Sequence, residues 1–130
     1  MSGKTHPNVA NWSKGVPDED LYLSVISIQE LKTGILLSER KDPTKGSILR
    51  YWLNHQVLPA FDGRILPVDV AVALCSASLH VPKTCSELDA LIAATALVHG
   101  LTVVTRNLPD FARTGVPTLN PWALTPPPAP

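Results

Sequence analysis

The sequence predicts an α/β fold with a mostly parallel sheet, and three observations carry that prediction. Short β-rich apolar runs alternate with segments of helical period along the chain. Helix-start signals stand close behind those runs. The clearest run, residues 101–105, follows an Ala-rich helical stretch that Gly100 is placed to terminate.

In chain order, the first predicted strand is residues 21–26, Leu-Tyr-Leu-Ser-Val-Ile. Ser27-Ile28-Gln29-Glu30 then reads as a capping box, with Ile28, Leu31 and Ile35 continuing at helical spacing. A charged loop is expected over 39–45, around Pro43. Ile48, Leu49, Trp52, Leu53 and Val57 outline an amphipathic helix that Pro59 should end. Residues 64–68 read as another short strand, with Asp69 placed to cap the next helix. Thr84-Cys85-Ser86-Glu87 is a second capping box, opening the helix expected over 88–99. A last short strand is expected over 116–119, and the tail over 126–130 is too proline-rich to pack. No internal repeat or second domain is visible, so the expectation is one domain over 1–122 with a loose tail over 123–130.

Composition sets the class. The 130 residues are 45% hydrophobic and 17% charged, enough for a packed core and unlike a disordered chain. Eleven Lys and Arg balance eleven Asp and Glu, which argues against a protein that holds nucleic acid mainly by charge. It leaves room for an enzyme that touches a few phosphates and releases them. Cys75 and Cys85 form neither a disulfide framework nor a zinc motif, and the four His are scattered. Two reduced thiols in a cytosolic protein is the expectation. The polar start lacks a signal-peptide core, and no apolar run nears the about 20 residues of a spanning helix. A soluble, cytoplasmic protein without membrane contact follows.

In parallel α/β sheets, sites form beyond the carboxyl ends of strands. Three places fit: Glu30 after the first strand, Asp89 near the start of the Ala-rich helix, and Asn107 with Asp110 after the strand ending at Thr105. Carboxylates gathered there suit magnesium, which takes hard oxygen ligands and keeps several waters. The plain structural reading stands beside this one. Glu30 can simply bond back to Ser27 in a capping box, and Asp89 can complement the helix dipole for about 0.3–1 kcal/mol. Asp110 can be an ordinary loop residue. Pattern alone makes the acidic site a candidate and no more.

A family resemblance adds to this. Leu21-Tyr22-Leu23-Ser24 leading to Glu30-Leu31 and Gly34-Ile35 resembles the "yLSaitlaELrlGi" segment of VapC/FitB-type PIN domains. Phe61-Asp62-Gly63-Arg64-Ile65-Leu66-Pro67-Val68-Asp69 is similar to the "FaGRiLPfD" segment of that family, and Asp89-Ala90-Leu91-Ile92-Ala93-Ala94-Thr95-Ala96 to its "DalIAATA" helix. Thr105-Arg106-Asn107 through Asp110-Phe111, and Asn120-Pro121-Trp122, match its closing segments. Five matches in order cover most of the chain from Val9 to Trp122.

The resemblance implies a PIN-like three-layer fold with a mostly parallel central sheet. It implies the toxin of a toxin–antitoxin system, a ribonuclease that uses Mg2+ or Mn2+ to hydrolyse RNA phosphodiester bonds. Carried over residue by residue, Glu30, Asp89 and Asn107 are the metal ligands, and Glu30, Asp89 and Asp110 the catalytic carboxylates. Arg106 and Lys32 are candidates for phosphate contact, although a solvated charge is the ordinary role of each. The implied partners are a cognate antitoxin, RNA and a second copy of the chain.

Two departures from the family pattern stand out. The first strand, with its Leu-Asp-Thr-Asn, is expected to be absent, since Met1–Lys4 aligns after it and before the helix marked by Val9 and Trp12. Either the true start lies upstream, which the intact later motifs favour, or the gene has decayed. The stretch between Cys75 and Asp89 is also shorter than the family's. The alternative reading is therefore a catalytically impaired PIN-fold remnant that binds antitoxin or a like chain without cleaving RNA. A nucleotide-binding protein of another kind is set aside, because no Gly-x-Gly-x-x-Gly, P-loop or Gly-x-Ser-x-Gly motif is present.

Overall fold

The structure is a computed structural model that describes residues 12–123. The helix expected at Val9–Trp12 (Trp12 aside), the alignment of Met1–Lys4 and the proline-rich tail lie outside the described residues. The chain divides into two compact units, one spanning Leu21–Pro67 and the other running from Val68 onward together with the segment through Asp20.

The first unit starts at strand β1, Leu23–Ser24, which pairs in parallel with β2, Ile65–Leu66, in the register Leu23↔Ile65 and Ser24↔Leu66. The strand expected over 21–26 is cut short because the helix α1, Val25–Lys41, begins sooner than predicted. Ser24 is its N-cap, with the hydroxyl accepting the Ile26 N–H at 3.0 Å. Ser27 is therefore inside the first turn, and no capping box involves Glu30.

The loop expected over 39–45 is a single residue. Asp42 ends α1 by donating its N–H to the Ser38 carbonyl at 2.8 Å. Its carboxylate then accepts the Lys45 N–H at 3.1 Å, capping α2, Pro43–Trp52. Pro43 opens that helix, where a missing N–H breaks no intrahelical bond.

The helical path does not stop at Pro59. A π turn over Leu53–Val57 lets the Leu58 N–H reach the Leu53 carbonyl, and a last turn, Leu58–Ala60, follows. The shift puts Pro59 in the first turn of that final segment, where its lack of an N–H is tolerated. Ile35, Leu53 and Val57 form the core here, with Leu23, Ile28, Leu31, Leu49, Trp52, Leu58 and Phe61 packed around them. Ile48 is not part of it and stands 65% exposed. The helices α1 and α2 cross so closely that a Cβ on Gly46 would lie 2.2 Å from Glu39 Cγ and 2.6 Å from its Cα.

The second unit contains α3, Val70–Leu79, and α4, Glu87–His99, which pack against one another. Asp69 caps α3 as predicted, accepting the Val72 N–H at 2.9 Å. The α4 cap is Ser86, two residues later than the predicted Thr84. Gly100 closes α4 in the left-handed conformation at φ 68°, with the Leu101 N–H reaching back to the Ala96 carbonyl at 2.8 Å. Strand β3, Val103–Val104, pairs in parallel with β4, Thr118–Leu119. Ala93, Ala96, Val103, Phe111 and Val116 make this unit's core, where the small alanines of α4 let its neighbours approach closely.

The fold class is α/β with parallel pairing, as the sequence indicates. Among the described residues the strands are shorter than predicted and form two separate two-stranded sheets.

Candidate active site

Of the candidate residues, Asp89, Asn107 and Asp110 belong to the second unit, and Glu30 to the first. Asp89 lies in the first turn of α4, three residues after the Ser86 cap. The adjoining residue Ala90 is fully buried, and its N–H bonds the Ser86 carbonyl at 2.9 Å, which fixes that turn. Asp89 itself is half-buried.

Asn107 and Asp110 follow β3. The Asn107 N–H donates to Thr105 Oγ1 at 3.0 Å, and the Asp110 N–H donates to the Asn107 carbonyl at 3.1 Å. These bonds shape the 3-10 turn Leu108–Phe111, which buried Phe111 anchors to the core. Asn107 and Asp110 are left on the exposed side, with Arg106 beside them.

The electrostatics tie two of these groups together. The Asp89 carboxyl is held above its ordinary pKa first by desolvation and second by the negative charge of Asp110. A hydrogen bond from the Ser86 hydroxyl acts in the opposite direction and is outweighed. Ser86 thus spends its side chain on the Asp89 carboxylate, and its hydroxyl caps no backbone N–H. Sequence reasoning missed this role, although the Ser86-x-x-Asp89 spacing is that of a helix-start pair and was the available signal.

Glu30 lies one helical turn beyond buried Ile26 and is exposed on α1. With the α1 cap at Ser24, the bond back to Ser27 that would make Glu30 a plain structural residue has no place. Lys32, on the same helix, is half-buried.

The donor set of the second unit consists of hard oxygens: two carboxylates, Asp89 and Asp110, whose charges oppose one another, and the neutral amide of Asn107 nearby in sequence. Such a set fits Mg2+ or Mn2+ in its chemistry. Among the described residues, no group of three or more His, Cys, Asp or Glu side chains forms a metal-sized cluster. No described helix is long and apolar enough to cross a membrane.

Comparison with known proteins matches this chain to a family. Toxin FitB of Neisseria gonorrhoeae is 37% identical over 126 residues, covering 92% of this chain and 89% of FitB. VapC ribonuclease Y4jK of Sinorhizobium fredii is 35% identical over 119 residues, covering 88% of this chain and 84% of that protein. The crystal structure of FitAcB from Neisseria gonorrhoeae superposes with a TM-score of 0.85 at 36% identity, over 94% of this chain and 90% of that one. The structure of FitAB bound to an IR36 DNA fragment gives 0.83 at 34% identity, over 92% and 86%. The PIN domain family matches residues 3–117, a span that takes in β1, β2, β3, all four helices and every candidate site residue and ends just before β4. With most of its length matched by sequence and by structure, the chain belongs to the PIN-domain family.

Proposed function

We propose that the chain is the toxin of a toxin–antitoxin pair and hydrolyses RNA phosphodiester bonds with the help of Mg2+ or Mn2+. The observation that carries this reading is the match of residues 3–117 to the PIN domain together with the placement of Asp89 in the first turn of α4 and of Asn107 and Asp110 after β3, where the charge of Asp110 adds to the desolvation that raises the Asp89 pKa. Repulsion of that kind is relieved by a bound cation. The relatives named as a toxin and as a VapC ribonuclease support the same reading.

Asp89, Asn107 and Glu30 would hold the ion. When bound, it would lower the pKa of a bound water and offset charge on the scissile phosphate. Asn107 offers oxygen without charge, so most of the charge balance falls on the carboxylates. The Ser86 hydroxyl orients Asp89. Asp110, more exposed than Asp89, would take the proton from the attacking water as the phosphorus–oxygen bond to the leaving ribose breaks. Arg106, exposed beside Asn107, suits contact with a substrate phosphate, and Lys32 is a second candidate. An antitoxin, a second copy of the chain and RNA are the proposed partners, in the cytoplasm.

The test is cleavage of single-stranded RNA by the purified chain with Mg2+ or Mn2+, repeated with EDTA and with Asp89→Asn. Cleavage should need the metal and fall by about 100-fold or more in the variant. A folded chain that cleaves nothing under any of these conditions would sink the ribonuclease reading and favour a non-cleaving binding role.

A further inference from the structure

Arg64 has more structural work than a surface cation needs. Its guanidinium donates from Nη1 to the Leu21 carbonyl at 2.7 Å and from Nη2 to the Ala60 carbonyl. The same group lies over the Phe61 ring, 5.0 Å from its centroid. The Arg64 backbone takes part as well: its carbonyl accepts the Leu23 N–H at 3.0 Å, and its N–H donates to the Phe61 carbonyl at 2.7 Å. Side chain and main chain of one residue therefore hold Leu21 and Leu23 on either side of Tyr22.

What they hold leads directly to α1. The strand β1 has two residues, too few for its ladder alone to fix its position. Its second residue, Ser24, caps α1 through the 3.0 Å bond to the Ile26 N–H, and Glu30 stands one turn past Ile26 on that helix. The segment from Leu21 through Leu23 and Ser24 thus runs directly into the helix start.

We propose that Arg64 is a positioning residue of the active site, which sets where α1 begins and thereby where Glu30 stands. Its proposed contribution comes through Glu30 alone. This rests on the proposed role of Glu30. A guanidinium fork is required because two carbonyls must be held at once by a planar group that also lies on an aromatic ring. A lysine ammonium keeps the charge and loses that geometry.

The experiment compares the full chain with Arg64→Lys, Glu30→Gln and the double variant, using single-stranded RNA with Mn2+ and kcat taken per folded molecule. Arg64→Lys should lower kcat by about 10-fold or more with KM little changed, since a small misplacement is costly at a reacting centre. Combined with Glu30→Gln it should add nothing, because both act through one carboxylate. Amide hydrogen exchange should quicken over residues 25–30 in Arg64→Lys and stay unchanged in α4. Ser24→Ala, which breaks the same link further along, should reproduce the kcat loss and carries the test where Arg64→Lys fails to fold.

Unchanged kcat in Arg64→Lys or in Ser24→Ala, or additive effects in the double variant, overturns the inference and leaves the role of Glu30 intact. Cleavage indifferent to Glu30→Gln overturns both.

Discussion

The charge of Asp110, on the turn after β3, raises the pKa of Asp89 in the first turn of α4. The two residues belong to different elements of one unit, and the effect adds to the desolvation of Asp89.

Removing that charge should be directly visible. In Asp110→Asn the Asp89 carboxyl should titrate closer to the ordinary aspartate range but remain above it, because desolvation stays. Carbon-13 NMR titration of the side-chain carboxyl checks this. An unchanged Asp89 titration would mean that the two charges do not interact.

The same shift fixes a stability trend. Asp89 has a raised pKa in the folded chain, so the folded state holds its proton more tightly than the unfolded one. The stabilisation is full below the ordinary aspartate range and is lost as pH rises through the raised value. At neutral pH the ionised carboxylate opposes folding. Asp89→Asn should therefore melt at a higher temperature than the parent at neutral pH while losing cleavage. Added Mn2+ should raise the melting temperature of the parent and leave that of the variant nearly unchanged. Thermal melts with and without the ion decide both points.

Two glycines of α1 and α2 should respond in opposite directions. Gly46→Ala places a methyl against the Glu39 backbone and should destabilise by about 1–3 kcal/mol as the helices are forced apart. Gly34→Ala meets nothing within 4 Å and should stabilise α1 by up to about 1 kcal/mol. Urea unfolding of the two variants is the measurement, with each serving as the other's control.

Asp42→Ala should cost about 0.5–2 kcal/mol, the usual range for a lost N-cap, because the carboxylate that caps α2 disappears. The Arg50–Glu39 ion pair at 2.7 Å is exposed and should not compensate.

Much of this was legible in the sequence wherever a short-range signal had no competitor. Asp69 caps α3 and Gly100 closes α4 because each is the sole residue nearby suited to the task. Where a second cap residue stood nearby, the cap fell elsewhere than the capping box predicted. The capping box was read at Ser27, and the pairing of Leu23–Ser24 with Ile65–Leu66 ends the strand sooner and puts the cap at Ser24. Thr84 and Ser86 compete in the same way, and only Ser86 stands where its hydroxyl reaches Asp89. The π turn that carries the chain past Pro59 has no local signature, since it depends on a shifted bond from Leu58 to Leu53. The acidic residues were found from strand ends and family resemblance, but the coupling of Asp89 to Asp110 is a matter of distance and was invisible in spacing. Arg64 escaped notice because surface arginines are common, and what distinguishes it is a pair of remote carbonyls.

The one-residue link at Asp42 also bears on the order of assembly. Joining α1 to α2 closes almost no loop, whereas joining β1 to β2 must bring Leu23 to Ile65. Closing the longer loop costs more chain entropy, so local contacts form first when both compete. The helical hairpin is then expected to act as a nucleus on which the strand pair condenses. Substitutions at Gly46 should slow refolding, and substitutions in β2 should chiefly hasten unfolding, a division that stopped-flow kinetics would resolve.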